Sequence, residues 1–507
     1  MNDAPETYRE REVKLRIHGL FKLPELVSEE TGIGRAKRQL TRTLDAVYYD
    51  TEDLRLFRWG VTLRRREGGP DAGWHMKLPV PNSADSRDEL RLPLDAGEQG
   101  EVPQELTRLV IPFTRGAPLR PVAHLHTERT PYLLYDRDGK AFAEVVDDSV
   151  SILDNGAIVE RFRELEVEAL TDDADLTTVV DILRKAGAVP AKGNKVSNAL
   201  GPAAAQPPDV EEPAIVKPGD PAGEAMTSFI RKHVRAFILQ DVAVRRDLPD
   251  AIHQMRVAAR RMRSGLKAFG TLFDKEWAEH LIDDLQWAAG ELGVARDTEV
   301  LLERLDHHAD DLDAKEAKLV RALIDPQLRR RLDEARVRAL TSLESPRHLA
   351  LLDALVDAAR SPKLTPLADE KCSDVLPKLV EKTFRKLTGR VKKLQLEGPS
   401  EIWHQARKAA KRARYTADAM SGIFGSPAKR LADALSDVTD ILGEHQDACI
   451  AQDVLREMAD TDGIDGRTGF ALGLLHEHEF EQELHARLEF QRMWPDIRRV
   501  LKRTNLA

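Results

Sequence analysis

The amino-acid sequence predicts a multidomain α+β protein: a closed antiparallel barrel in the first 200 residues and an all-α, duplicated helical bundle in the second half. Three observations predict this. Before residue 200, charged side chains recur at every second position in several short segments, which is the period of a strand. Six prolines then fall between Gly201 and Ala225. Beyond them glycine is scarce, apolar residues recur at helical spacing, and two long segments repeat about 150 residues apart.

Composition narrows the class. A chain of 507 residues exceeds one ordinary core and corresponds to roughly three domain-sized units. Hydrophobic content of 42% beside 32% charged residues indicates a globular, heavily charged protein. No apolar run is long enough to span a bilayer. Residues 1–10 lack the basic-then-apolar order of a secretory signal, so a cytoplasmic location is expected. Two cysteines, Cys372 and Cys449, exclude a disulfide framework and fit a reducing compartment. A net charge of −9 argues against a generic nucleic-acid binder but leaves room for a local basic groove.

In chain order, Glu10, Glu12 and Lys14 share one face of an opening strand, with Val13 and Leu15 on the other. Such a face is either wet or part of a charged cavity. Leu20 to Thr31 reads as a short helix, Leu44 to Asp50 as a strand, and the residues through Trp59-Gly60 as a short helical piece. Val61 to Arg66 is a strand with Arg64 and Arg66 on one face, Trp74 to Leu78 its return carrying Lys77, and Arg87, Glu89 and Arg91 again alternate. Val122 to Arg129 and Tyr132 to Asp136 read as two strands, followed by one from Ala141 to Asp148. Asn155-Gly156 is a hairpin turn. Phe162 to Ala169 carries Glu164, Glu166 and Glu168 on one face, and Thr177 to Ala186 is a helix. Acids and bases segregate by strand, whereas solvent faces mix them. That favours a closed barrel with a polar lumen, suited to a polyanion and a hard metal ion.

Taken in order, Glu10-x-Glu12-x-Lys14, Leu63-Arg64-Arg65-Arg66, Lys77, Arg87-x-Glu89, Arg129 and Glu164-x-Glu166-x-Glu168 resemble the CYTH family, the triphosphate tunnel metalloenzymes, over residues 8 to 200. The resemblance implies an eight-stranded antiparallel tunnel barrel. It also implies Mg²⁺- or Mn²⁺-dependent hydrolysis of inorganic or thiamine triphosphate, or cyclisation of ATP. Carried over, it makes Glu10, Glu12 and Glu166 metal ligands, with Glu168 as a further ligand or as the group that activates water, and gives Lys77 a catalytic role. Lys14, Arg64, Arg66, Arg87, Arg129 and Lys195 would hold the triphosphate, with Lys192 competing for the last position. Glu89 and Asp147, or Glu144 or Asp148 in place of the latter, match polar tunnel positions. His18 and His75 read as incidental surface or packing residues.

The proline-rich segment 201–224 reads as a semi-rigid spacer between a domain of residues 1–200 and one of residues 225–507. The latter divides into repeats of about 225–370 and 371–507. His253, Arg256, Arg260, Arg263 and Lys267 form one helical stripe, echoed by His404, Arg407, Lys411 and Arg414; the two histidines are 151 residues apart. Leu292-Gly293-x-x-Arg296-Asp297 is echoed by Leu442-Gly443-x-x-Gln446-Asp447. Neither stripe contains an acid. A phosphate chain, a nucleic acid or acidic helices of the same protein could each cover such a face. His307-His308 and the group His476, His478 and His485 lie among acids and read as solvated faces.

These paired stripes resemble the CHAD domain, a histidine-containing helical domain often joined to CYTH domains, over about residues 220 to 505. The resemblance implies that inorganic polyphosphate binds His253, Arg256, Arg260, Arg263, His404, Arg407, Lys411 and Arg414, flanked by Arg231, Arg235, Lys382, Arg385 and Lys386. Together the two resemblances lead us to expect a cytoplasmic inorganic triphosphatase placed on polyphosphate or its granules, with no membrane or nucleic-acid partner. The alternatives are a non-catalytic polyphosphate scaffold, an adenylate cyclase or a thiamine triphosphatase.

Overall fold

The structure is a computed structural model describing residues 6–28, 31–79, 86–97, 100–171, 173–191, 193 and 195–503, with backbone alone at 6–10, 86 and 502–503. It forms two compact units, Met1–Asp209 and Val210–Ala507.

The first unit holds β1 (Glu6–Ile17), β2 (Ile33–Arg38), β3 (Arg42–Asp50), α1 (Arg55–Arg58), β4 (Thr62–Glu67), β5 (Gly73–Pro79), β6 (Ser86–Leu92), α2 (Gln104–Thr114), β7 (Arg120–Asp136), β8 (Ala141–Asp154), β9 (Ala157–Ala169), α3 (Thr177–Lys185), β10 (Val189–Pro190) and α4 (Lys195–Leu200). Hydrogen-bonded neighbours run β1-β6-β5-β4-β3-β7-β8-β9. The path then returns on itself, because β9 pairs antiparallel with β1 from Glu12↔Glu168 to Ile17↔Arg163. Eight strands thus close a ring, while β2 adds to β7 and β10 to β1.

The alternation of each strand decides what the ring encloses. Leu15, Ile17, Val145, Leu165 and Val167 point outward into a buried apolar layer with Phe21, Leu26, Val179 and Leu183. Each such buried side chain stabilises the fold by roughly 1.5–3 kcal/mol. The charged positions between them therefore point into the lumen. One end of the lumen is apolar, where Tyr48, Leu125, Val150, Ile152 and Phe162 meet Val196 of α4. The hairpin joining β8 and β9 turns at Asn155 and Gly156, with φ of 48° and 82°, as its sequence requires.

Two local expectations fail for physical reasons. Leu20 to Thr31 forms no helix among its described residues; Pro24 disfavours helical backbone at Leu23, and Thr31 instead closes a side-chain turn on Ser28. The segment still buries Phe21 and Leu26. The two strands expected at 122–129 and 132–136 are one continuous β7, interrupted by nothing at Pro131. There β7 changes neighbour from β3 (Arg42↔Arg129) to β2 (Arg38↔Tyr132), and the Pro131 carbonyl accepts from Gln39 N–H in the gap. The N–H that proline lacks would fall in that gap, so no ladder bond is lost.

The second unit contains α5 (Ala222–Arg245), α6 (Ala251–Ala268), α7 (Lys275–Glu291), α8 (Gly293–Ala309), α9 (Ala314–Leu343), α10 (Pro346–Arg360), α11 (Cys372–Val391), α12 (Ser400–Phe424), α13 (Ser426–Ala459) and α14 (Gly466–Arg503). The 150-residue offset maps α5 onto α11, α6 onto α12, α7 with α8 onto the single α13, and α9 onto α14. The copies join reciprocally. Ala222 N–H donates to the Glu370 carbonyl and Cys372 N–H to that of Asp220, both at 2.8 Å. Helices α6 and α12 pack together. Gly265 of α6 allows close packing on α5, because a Cβ there would lie 2.4 Å from the Phe229 ring.

Residues in the middle of the proline-rich segment are held within each unit. Buried Asp209 accepts from Trp59 Nε1 at 2.7 Å and pairs with Arg115 at 2.6 Å. In the second unit, Arg235 donates to the Val210 carbonyl at 2.6 Å, and Val210 and Val216 are buried.

Asp50 organises the turn that leads from β3 through α1 into β4. Its buried carboxylate accepts backbone N–H bonds from Thr51, Leu56 and Phe57 at 2.7, 2.9 and 2.8 Å. Asp50→Ala leaves these donors unpaired and should lower stability by about 2–5 kcal/mol, read from the denaturant midpoint of the barrel transition. An unchanged midpoint would show that the turn is held by other contacts.

Candidate active site and basic groove

The lumen is a cavity of about 580 Å³. Glu12 and Lys14 enter it from β1, Arg64 and Arg66 from β4, Lys77 from β5, Arg87 and Glu89 from β6, Arg129 from β7, Glu166 and Glu168 from β9, and Lys195 from α4. Every residue nominated as a metal ligand, catalytic group or triphosphate holder whose side chain is described is therefore brought together. Glu10 lies on β1 opposite Arg87, but its side chain is outside the described part, as is the whole of Lys192.

Oxygens of Glu12, Glu166 and Glu168 lie within 4.8 Å of one another. Glu166 is enclosed by cations: Arg129 Nη2 at 2.7 Å, Lys195 Nζ at 2.8 Å and Lys14 Nζ at 3.5 Å. Burial alone would raise its pKa, but Lys195, Lys14 and Arg129 outweigh burial and hold it well below the usual carboxylate range. Glu168 behaves oppositely. Burial, reinforced by the neighbouring charges of Glu166 and Glu12, pushes it up to about 7 against the pull of Arg129. Burial and nearby Arg64 lower Arg66 to about 10. Hard oxygen donors crowded so that one resists ionisation fit a divalent cation such as Mg²⁺ or Mn²⁺.

The opposite wall is organised around Glu89, which is fully buried. It meets His75 Nδ1 at 3.0 Å, Arg91 Nε at 2.6 Å, Arg64 Nη2 at 3.7 Å and Lys77 Nζ at 4.0 Å. His75 is thus a buried part of the tunnel wall and no surface residue; its Nε2 lies 2.8 Å from the Asp71 carbonyl. Asp71 also pairs with Arg66. Tyr48 OH accepts from Arg64 at 3.3 Å, and Arg87 donates to the Gly60 carbonyl at 2.7 Å. Among the alternatives at residues 144–148, Glu144 and Asp148 both lie on the lumen side of β8: Glu144 stands opposite Glu168, and Asp148 is opposite Arg129 in the ladder and takes two bonds from it, at 2.9 and 2.7 Å. Asp147 points away and pairs with Arg163. Tyr48, Asp71 and the tunnel role of His75 were not read from the sequence, because β3 and the β4–β5 turn show no charge alternation there. His18, by contrast, is exposed and packs edge-on against Phe21.

In the second unit, α6, α8, α12 and α13 line a groove of about 670 Å³. It collects His253, Arg256, Arg260, Arg407, Lys411 and Arg414. The repeated Leu-Gly motif explains itself here. Arg256 lies against Gly293, where a Cβ would sit 3.3 Å from its Nη2, and Arg407 similarly approaches Gly443. Arg256 then meets the motif's Asp297 at 3.0 Å, and Arg407 meets Asp447 at 3.9 Å. Acids absent from the stripes are thus supplied by the facing helices. Arg414 donates to Thr439 at 2.7 Å. The buried Nε atoms of Arg256, Arg260 and Arg407 have no hydrogen-bond partner among the described residues. Burial, with Arg407 and Arg260 nearby, lowers Lys411 to about 7 despite Asp447. Burial and the arginines Arg296, Arg260 and Arg256 likewise lower His253.

Other nominated residues lie elsewhere. Arg263 is on the α6 stripe but beyond the groove, near Arg412, and His404 is turned to Gln446. Arg231 and Arg235 hold Glu211 and Glu212, and Arg385 lies 3.9 Å from Glu381. Lys386 borders a different cavity with Arg390, Lys393, Lys408 and Arg412. The histidines expected on solvated faces are partly otherwise engaged: His308 Nδ1 lies 2.7 Å from the fully buried Glu479 and its ring 4.7 Å from that of His478. A further cluster, His445, Cys449 and Glu483, is filled by Arg487, whose Nε donates to His445 Nε2 at 3.0 Å.

Both units match known families. The CYTH domain matches residues 8–192 and the CHAD domain residues 228–456. The protein Rv2226 of Mycobacterium tuberculosis strain H37Rv is 35% identical over 474 residues, covering 88% of this chain and 88% of its own, and MT2285 of strain CDC 1551 matches to the same extent. The chain belongs to the proteins that join a CYTH domain to a CHAD domain. Among solved structures, PptA from Streptomyces chartreusis is 27% identical, with a TM-score of 0.48, over 54% of this chain and all of its own. The CHAD domain of the plant Ricinus communis is 24% identical, with a TM-score of 0.46, over 58% of this chain and 96% of its own. No helix among the described residues is long and apolar enough to cross a membrane.

Glu89 neutralises several cations at once. Glu89→Ala should lower the stability of the barrel by about 3–5 kcal/mol, since it leaves Arg64, Arg91 and Lys77 facing one another in a buried wall. Chemical unfolding of wild type and variant measures this, and a loss under ~1 kcal/mol would mean that solvent already screens the wall.

Proposed function

We propose that the barrel hydrolyses inorganic triphosphate to pyrophosphate and phosphate with Mg²⁺ or Mn²⁺, and that the helical groove binds inorganic polyphosphate in the cytoplasm, placing the enzyme on long chains or their granules. The observation that carries this reading is the division of one closed lumen into a three-carboxylate corner, Glu12, Glu166 and Glu168, and a wall of cations.

Glu12 and Glu166, with Glu10, would hold the cation, which supplies Lewis-acid polarisation of phosphate oxygens when bound. Arg64, Arg66, Arg87 and Arg129 would clamp the phosphate chain, their planar forks matching pairs of oxygens. Lys14 and Lys77 would supply point charges near the carboxylate corner, and Lys77 would stabilise charge as the bond to the leaving group breaks. Lys195 closes the chamber from α4. Glu168, whose carboxyl titrates near neutrality, would take the proton of the attacking water. Phosphoryl transfer asks chiefly for positioning and charge neutralisation, and the chamber offers both.

Phosphate release with Mg²⁺ or Mn²⁺, compared across inorganic triphosphate, ATP, thiamine triphosphate and long polyphosphate, tests the reading. Preferential release from inorganic triphosphate is expected. Release from none, with polyphosphate still bound, would make the protein a scaffold, and cyclic AMP from ATP would make it a cyclase. Glu168→Gln should lower kcat by about 10²–10⁴-fold while long-chain binding persists. Arg256→Ala combined with Arg407→Ala should abolish that binding and leave triphosphate turnover intact. Retained turnover in the first variant, or retained binding in the second, overturns the corresponding assignment.

A pH dependence follows for the groove. Lys411 shares the groove with Arg407 and Arg414 of its own helix, His253, Arg256, Arg260 and Arg261 of α6, Arg296, Asp297 and Arg304 of α8, and Asp440, Glu444 and Asp447 of α13. A bound polyanion restores its charge, so binding takes up a proton above pH 7. Affinity should be level just below pH 7 and fall by up to about tenfold per unit above it. Lys411→Arg should flatten the profile in a fluorescence-anisotropy titration. A wild-type profile flat from pH 7 to 9 would remove Lys411 from the binding surface.

A further inference from the structure

We propose that a second cationic cleft, between α11 and α12, extends the path of a long polyphosphate chain beyond the groove. The proposal rests on the polyphosphate reading of the groove itself. The cleft has a volume of about 630 Å³, and its cations are Lys386, Arg390 and Lys393 of α11 with Lys408 and Arg412 of α12. Gln405 ties the two helices by accepting from Arg390 Nη1 at 2.6 Å. No carboxylate lines the cleft, and none among the described residues pairs with any of these five cations. The groove differs, since Arg256 and Arg407 already meet Asp297 and Asp447. A chain of net charge −9 thus gathers five positive charges in one place and gives them no internal counterion.

The duplication shows that the helix pair does not need these charges to pack. Helices α5 and α11 begin 150 residues apart, and α6 and α12 keep the 151-residue offset of their histidines. On these offsets Ala236, Gln240, Ala243 and Val257 hold, in the first copy, the positions of Lys386, Arg390, Lys393 and Lys408. Only Arg412 has a cationic counterpart, Arg261. Like charges one turn apart, as at Lys386 and Arg390 or Lys408 and Arg412, disfavour a helix, so an external anion accounts for them where packing does not. The cleft is also continuous with the groove. Lys408 is three residues from Lys411 of the groove and neighbours it on the surface of α12. His404 lies in the same interval: burial, with Lys408 and Arg407 nearby, lowers its pKa despite its bond to Gln446. Burial and Arg412 likewise lower Arg263, which the groove leaves out. A polyanion leaving Arg407 and Lys411 therefore meets further cations on its way to α11. Lys386, Lys393 and Lys408 are exposed, which suits a flexible chain whose charge recurs at every unit and which gains from each added contact.

Size-fractionated inorganic polyphosphate is the probe, titrated into the full-length protein over a range of chain lengths and salt concentrations. Wild-type affinity should go on rising with length after the groove is filled. Lys386→Ala combined with Lys393→Ala and Lys408→Ala should level off at that point, with short chains bound as tightly as by the wild type, which also shows that the variant folds. For long chains the variant should lose about 10–100-fold in affinity at low salt, and the slope of log affinity against log salt should fall by roughly 2, at about 0.7 for each lysine removed. The same long-chain affinity and slope in both proteins would overturn the cleft and leave the groove reading intact. Equal losses for short and long chains would also overturn it, by placing these lysines within the groove's own site. A wild type that binds polyphosphate of no length would overturn the groove reading and the cleft with it, and tighter binding of single-stranded DNA of equal charge would give the cleft to nucleic acid instead.

Discussion

Charges of one sign buried together oppose folding unless each is matched, because removing an ion from water costs several kcal/mol and repulsion from its neighbours adds to that. Both units are arranged around this constraint. In the tunnel, Glu166 is surrounded by Lys14, Arg129 and Lys195, and Glu89 by His75, Arg91, Arg64 and Lys77. In the groove, Arg256 and Arg407 rest on Asp297 and Asp447. Internal counterions keep an otherwise repulsive surface folded. Where the matching is incomplete, at Glu168 and Lys411, the proton equilibrium moves toward the neutral form instead.

The two units meet the constraint with different periods. A strand presents every second residue to one face, so a ring of eight can carry a charged lumen and an apolar outer layer from the same segments. Ring order then sets the internal geography. The β1–β9 pairing brings the two acidic strands side by side and puts Glu12 opposite Glu168 and Lys14 opposite Glu166. The cationic residues of β4, β5 and β6 come from strands that are neighbours in the ring. In the helical unit the same segregation uses spacings of three and four, and the neutralising acids come from another helix. Duplication places one such arrangement on each side of the groove.

Much of this was legible because it is periodic. Glu12, Lys14, Arg64, Arg66, Glu166 and Glu168 declare their common side by alternation alone, and His253 and His404 announce the duplication by their separation. What was not legible depends on register and on contacts between distant segments. Asp147 and Asp148 are neighbours in sequence, and only the pairing of Arg129 with Asp148 decides which one enters the tunnel. His75 carries no local mark of burial; its partner Glu89 lies across a strand pair. Pro131 looked like a boundary because a strand-breaking residue is harmless only where two neighbouring strands change over. His404 repeats the position of His253, yet Gln446 in place of Arg296 offers it a neutral partner and turns it aside.

The internal counterions also bear on selectivity. An anion entering either site must displace a carboxylate already in place, so a single phosphate exchanges one set of contacts for another and gains little. A chain that contacts several cations at once would recover the displaced bonds many times over. The groove therefore rewards length. The tunnel limits it, because Val196 of α4 and the apolar cluster around Leu125 close one end of the lumen. A short polyanion in the closed chamber and a long one along the groove would consequently be sorted by shape, although the chemistry that would attract them is the same.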